Sequence, residues 1–183
     1  IKLLKKCGDK WIKIPSHEAY NFELITFALN NFQKIMISAG CLKKNELNKL
    51  IKLISSKKIY QSRTTLLHCV SSYPLKTKDC NFQKFKYIKS KLNKVGYSGH
   101  SQGIEDSVYA LYNGAEIIEK HFTINNKLPG RDNKFALTYK DLSLLNNFRK
   151  SFDEFKINKG LDLQKCEIDI FKNYRGRWSK KIN

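Results

Sequence analysis

The sequence predicts an α/β protein built on a parallel sheet, and three observations carry that expectation. Short β-branched or apolar runs alternate with longer amphipathic stretches. The runs recur about 22–31 residues apart, the period of a strand–helix unit, eight of which close a barrel in about 250 residues. Polar residues within the runs fall opposite apolar pairs and near the carboxyl ends, where parallel α/β proteins bind ligands. Five units fit into 183 residues. That number suits either an open doubly wound sheet or part of a barrel.

In chain order, the strand candidates are Trp11–Pro15, Lys34–Ser38, Thr64–Val70, Val95–Ser98 and Ala115–Phe122. A first helix is expected over Lys43–Ile54, where Leu47, Leu50, Ile51 and Ile54 share one face and Lys and Asn take the other. Phe82, Phe85, Ile88 and Leu92 mark a second. Ile104, Val108 and Leu111 mark a third, with Gly114 placed as its C-terminal stop. Thr138 and Asp141 form a capping-box pattern ahead of Leu145, Phe148, Phe152 and Phe155, which line one face of the last helix. Beyond Gly160 the periodicity fades, and Tyr174–Asn183 reads as a basic, mobile tail. The expected division is a partial barrel over 1–157 and a tail over 158–183.

Composition narrows the function classes. Lys+Arg 35 against Asp+Glu 16 gives a formal charge of +19, which invites a nucleic-acid reading. Yet only five of the 35 are Arg, and the 30 Lys are spread along the whole chain. Readers of bases and phosphates favour Arg, so the charge is expected to be a solvated surface. Five cysteines (Cys7, Cys41, Cys69, Cys80, Cys166) form no C-x-x-C pair. Reduced thiols in a cytoplasmic protein are the expectation. No apolar run approaches the roughly 18 residues a membrane span needs. G-x-G-x-x-G, Walker, G-x-S-x-G and H-E-x-x-H motifs are all missing from the sequence, which disfavours nucleotide-cofactor and serine-hydrolase chemistry.

Strand parity singles out the candidate site. Alternate residues point to opposite faces. Lys13 therefore opposes Ile12 and Ile14, and Met36 and Ser38 oppose Ile35 and Ile37. Ser98 goes with His100. Glu119 goes with His121, against Ile118 and Phe122. A Lys, several Ser, one Glu and two His converging at strand ends suit an anionic substrate beside a divalent metal. An unpaired ammonium is costly to bury, so Lys13 calls for an anion partner. His68 has the parity opposite to Ser71 and reads as packing beneath a helix, whereas His17 falls in a loop that gives no direction.

At these positions the sequence resembles the sialic acid synthase family, the phosphoenolpyruvate-condensing enzymes that make N-acetylneuraminate, legionaminate or pseudaminate. The resemblance lies in K-I-P-S-H-E (Lys13–Glu18), I-S-A-G (Ile37–Gly40), L-L-H-C-V-S-S-Y-P (Leu66–Pro74), G-Y-S-G-H (Gly96–His100), I-E-K-H-F-T (Ile118–Thr123) and P-G-R-D (Pro129–Asp132). The six segments stand in family order over roughly residues 11–155. The resemblance implies an incomplete (β/α)8 TIM barrel comprising strands four to eight. It also implies that strands one to three precede Ile1 and that the family's antifreeze-like domain is missing.

By the same resemblance, Lys13, Ser16, Ser38, Ser71 and Ser98 hold phosphoenolpyruvate, and His100 and His121 ligate manganese or magnesium. Glu18, Tyr73 and Asp132 lie around the acylamino sugar, and Glu119 beside the metal. Lys13, Glu119 and Asp132 are the implied catalytic residues, and a homodimer is the implied assembly. Ser71 stands where many members have Asn, Gly99 where many have Asp, and Arg131 where Pro is common. The expectation is an acylamino-sugar acid synthase for surface-glycan biosynthesis. Its alternatives are a non-catalytic fragment of the same fold and a basic module that binds polyanions.

Overall fold

The computed structural model of the chain describes residues 1–178. Five strands, β1 (Trp11–Ile14), β2 (Lys34–Ser38), β3 (Thr64–Cys69), β4 (Val95–Gly99) and β5 (Ile118–Lys120), form one sheet in the order β1-β2-β3-β4-β5. Every neighbouring pair is parallel. A doubly wound sheet must reverse its strand order partway. This one never does, so the connecting helices lie on one side and the sheet curls into a half-barrel. That decides between the two architectures the spacing allowed.

The helices are α1 (Lys2–Lys6), α2 (Phe22–Asn31), α3 (Lys44–Ser55), α4 (Lys58–Arg63), α5 (Phe82–Lys89), α6 (Glu105–Tyr112), α7 (Tyr139–Phe155) and α8 (Ile168–Asn173). Ile14, Ile35, Ile37, Leu66, Val95 and Tyr97 on the outer face of the sheet meet Ile25 and Leu29 of α2, Leu47, Leu50 and Ile54 of α3, and Phe85 and Ile88 of α5. These side chains are at most 3% exposed, and each contributes on the order of 1.5–3 kcal/mol through its removal from water. A smaller cluster of Ile104, Leu111, Leu137 and Leu145 packs α6 against α7.

Several boundaries differ from the sequence expectation, for local reasons. β1 stops at Ile14, since Pro15 has no N–H to add to the ladder. The fifth strand shrinks from Ala115–Phe122 to three residues. Glu116 still bonds Val95, and Phe122 bridges Leu137, but neither extends the ladder. Gly114 (φ +85) does end α6: its N–H bonds Leu111 and that of Ala115 bonds Ala110, a Schellman closure. At α7, Asp141 accepts both the Thr138 N–H at 2.9 Å and the Thr138 hydroxyl at 2.7 Å. The carboxylate thus does the capping. Of the expected α7 stripe, Leu145 is buried and Phe155 is 82% exposed.

Residues 1–152 form one compact unit, and a second begins at Asp153 and contains α8. Tyr174–Trp178 is turn rather than helix, and the rest of the expected tail lies outside the described residues. Among the described residues, no helix is long and apolar enough to cross a membrane.

Candidate functional site

The inner face of the sheet and the loops at its carboxyl ends enclose a cavity of about 350 Å³. Its walls include Lys13, Ser16, Ser38, Ser71, Tyr73, Ser98, His100, Glu119 and His121. Parity delivers four of the nine: Lys13, Ser38, Ser98 and Glu119 lie on strands whose alternate residues fill the core. Lys13 Nζ, on the first strand, donates to Glu119 Oε1 on the last at 2.9 Å. The Ser98 hydroxyl donates to the same oxygen at 3.1 Å.

The β2 loop supplies the opposite wall. Gly40 N–H donates to Ser16 Oγ at 3.1 Å. A β-carbon on Gly40 would lie 2.5 Å from both Ser16 Oγ and Ser71 Oγ. Only glycine lets the two hydroxyls approach this backbone. Ser38 is 2% exposed, and its Oγ has no hydrogen-bond partner. A buried hydroxyl left unpaired is destabilising, and on the wall of a cavity it is a donor waiting for an acceptor.

The two imidazoles sit side by side, with ring centroids 5.3 Å apart and planes inclined at 65°. Nδ1 of His100 faces the Val70 carbonyl at 3.3 Å. A carbonyl only accepts, so this nitrogen carries the proton and Nε2 keeps its lone pair. Burial, with His121 alongside, pulls the His100 pKa below its usual value and favours the neutral ring. Nδ1 of His121 lies 3.4 Å from Asp132 Oδ2, a carboxylate–histidine contact that likewise leaves Nε2 for a ligand. Tyr73 packs on both rings, 4.3 Å from His100 and 5.9 Å from His121, and Phe135 backs His121 at 5.2 Å.

Two imidazole nitrogens whose opposite ring atoms have partners fit a divalent cation. No cluster of three or more His, Cys, Asp or Glu that could hold an ion occurs among the described residues. The pair therefore suits an open coordination sphere completed by water or substrate rather than a closed structural site.

Glu18 stands apart from the cavity wall: its Oε2 accepts from Asn21 at 3.0 Å at the start of α2. His17, Cys41 and Cys69 line the cavity although the sequence reading gave them no place there. Cys69 shares the inner parity of β3, a signal that was available. His17 sits in a three-residue 3₁₀ turn and Cys41 has φ +55, and nothing in the residue pattern foretold either direction. His68 is fully buried beneath α5, edge-on to Phe82 and Phe85, as its parity indicated. A larger cavity of about 610 Å³ flanks β5, shares only Glu119 and His121 with this site, and is mainly apolar.

Residues 1–156 match the profile of the NeuB family. The chain belongs to that family. It is 32% identical over 146 residues to an N,N'-diacetyllegionaminic acid synthase of Campylobacter jejuni, an alignment covering 79% of this chain and 44% of that protein. Identity to an N-acetylneuraminate-9-phosphate synthase of Drosophila melanogaster is 34% over 149 residues, covering 79% and 39% respectively. Among solved structures, an N-acetylneuraminic acid synthetase from Leptospira borgpetersenii, in complex with citrate, superposes with a TM-score of 0.79 at 31% identity. That match covers 96% of this chain and 62% of that one. The chain thus spans about two fifths of the length of these curated NeuB-type relatives.

Proposed function

We propose that this chain carries the phosphoenolpyruvate and metal half of an acylamino-sugar acid synthase. It would condense phosphoenolpyruvate with an N-acylated hexosamine such as N-acetylmannosamine. The observation that carries the proposal is the convergence of one ammonium, four serine hydroxyls, one carboxylate and two imidazoles on a single cavity.

The Lys13 ammonium neutralises the phosphate, with the hydroxyls of Ser16, Ser38, Ser71 and Ser98 around it. The unpaired Ser38 Oγ–H then gains its acceptor. His100 and His121 would hold manganese or magnesium through Nε2. When bound, that ion supplies Lewis acidity at the aldehyde oxygen of the open-chain sugar. Asp132 orients His121, and Tyr73 fixes the plane of His100. In the reaction, C3 of phosphoenolpyruvate bonds to the aldehyde carbon, whose oxygen takes up a proton. Water adds to C2 and phosphate leaves, giving an α-keto acid. Glu119, held between Lys13 and Ser98, is the carboxylate nearest the anion site and accepts the proton from that water.

Binding tests this without requiring turnover from two fifths of a relative's length. Calorimetry should detect manganese binding, and phosphoenolpyruvate binding that manganese strengthens. Both should be lost in the double variant His100→Ala/His121→Ala. Unchanged manganese affinity in that variant would refute the assignment.

A further inference from the structure

On the side of β5 facing away from the cavity lies a second polar cluster, built on a buried ion pair. Lys120 alternates with Glu119 and His121, so its side chain passes beneath α6. Its side chain is 5% exposed, and its ammonium donates to the Ser101 carbonyl at 2.6 Å and to both Asp106 oxygens at 3.2 Å. Asp106, with its side chain fully buried, also accepts from Tyr97 Oη at 3.0 Å, Ser107 N at 2.7 Å and Ser107 Oγ at 3.2 Å. Such a pair adds little net stability over apolar side chains of equal volume. Its placement calls for another account.

The pair joins the two strand ends that carry the imidazoles. Ser101 follows His100 and Lys120 precedes His121, so the Lys120–Ser101 bond fixes one backbone against the other. Gly99 leaves the room this carboxylate occupies. A β-carbon at position 99 would lie 2.5 Å from Asp106 Oδ2, 2.6 Å from Tyr97 Cε1 and 3.0 Å from Lys120 Cδ. Gly99 is not among the left-handed glycines, so its backbone accepts a side chain. What forbids one is the buried Tyr97 ring together with the Asp106 carboxylate. A side chain at 99 and the carboxylate of Asp106 compete for the same space beside Lys120.

We propose that Lys120 and Asp106 are positioning residues that brace the ends of β4 and β5 and set the spacing of His100 and His121. This rests on the reading of the two imidazoles as metal ligands.

Manganese affinity of the full chain, measured by electron paramagnetic resonance alongside thermal unfolding, tests the brace and that reading separately. The double variant Asp106→Leu/Lys120→Met replaces the pair by apolar side chains. It should fold but melt lower, because the buried Tyr97 hydroxyl loses its acceptor, and at a temperature where it is fully folded it should bind manganese about 10- to 100-fold more weakly. Asp106→Ala alone should lose affinity similarly. If the parent binds no manganese, the metal reading fails and takes the brace with it. If the parent binds and the apolar double variant binds equally well, the brace alone is overturned.

Discussion

Lys13 and Glu119 stand at opposite ends of the sheet and touch, Nζ to Oε1 at 2.9 Å. Four strand spacings would hold them roughly 19 Å apart in a flat sheet, so the contact measures the curl of the half-barrel. It also puts the cavity's one strand-borne cation beside the carboxylate that shares its wall with the imidazoles. Their side chains are 32% and 38% exposed, and a pair so solvated contributes on the order of 0–1 kcal/mol. Lys13→Ala should therefore shift the melting temperature by only a few degrees while removing phosphoenolpyruvate binding. Parallel calorimetry and thermal unfolding check this. A variant that keeps the parent's affinity would take Lys13 out of the anion site.

Gly40 gives a sharper steric case. Its backbone is not left-handed, so alanine is conformationally permitted, yet the added carbon would lie 2.5 Å from two hydroxyl oxygens. Ser16 and Ser71 must move aside, a strain of about 1–3 kcal/mol. Displacing aligned ligand donors by about 1 Å is worth up to ~100-fold in binding or rate. Gly40→Ala should thus fold with reduced stability and lose most of its phosphoenolpyruvate affinity. Titration at a temperature where the variant is fully folded separates the two effects. Parental affinity there would show that the hydroxyls do not depend on this backbone approach.

The face of each strand was legible, because alternation is a local property: Lys13 against Ile12 and Ile14, Glu119 against Ile118. Which strand ends meet was not, since Lys13 and Glu119 are joined only by curl. The Lys120–Asp106 pair was equally hidden, because it links a strand to a helix fourteen residues earlier and follows no period. α2 went unmarked because Phe22, Leu24, Ile25, Phe27, Ala28 and Leu29 crowd its sequence and blur any single stripe. α4 and α8 span six residues each, too short for periodicity to register. The six family segments placed the chain among synthases far more sharply than composition did, and the family match bears out that resemblance.

At the start of α7, Asp141 caps the helix through both the backbone and the hydroxyl of Thr138, and these bonds hold its carboxyl below the usual carboxylate range. The lowered value means this contribution is present above the unfolded pKa and fades as pH falls through the folded one. Asp141→Ala should reduce stability at neutral pH by about 1 kcal/mol, and the difference should vanish in strong acid. Chemical denaturation of both chains at pH 7 and at pH 2–3 provides the comparison. A difference that persists unchanged at low pH would mean the carboxylate charge is not what caps the helix.

His68 sets the other acid limit. Its Nε2 donates to the Cys80 carbonyl at 2.7 Å, while Nδ1 is buried with no partner. Burial, aided by the nearby Lys84 ammonium, lowers its pKa from 6.5 to about 4 against the opposing bond to Cys80. Between those values the unfolded chain binds a proton that the folded chain refuses. Stability is therefore complete above pH 6.5 and declines as pH falls toward 4, by about 3 kcal/mol in all. From pH 7 to 5 the share is about 2 kcal/mol. His68→Gln keeps a donor for Cys80 but cannot titrate. It should be less stable at pH 7, through poorer packing against Phe82, Phe85 and Tyr97, yet its stability should fall less steeply between pH 7 and 5. Urea unfolding at both pH values gives the two slopes. Equal slopes would show that His68 takes up its proton in the folded chain as readily as in the unfolded one, and that burial beneath α5 does not hold it neutral.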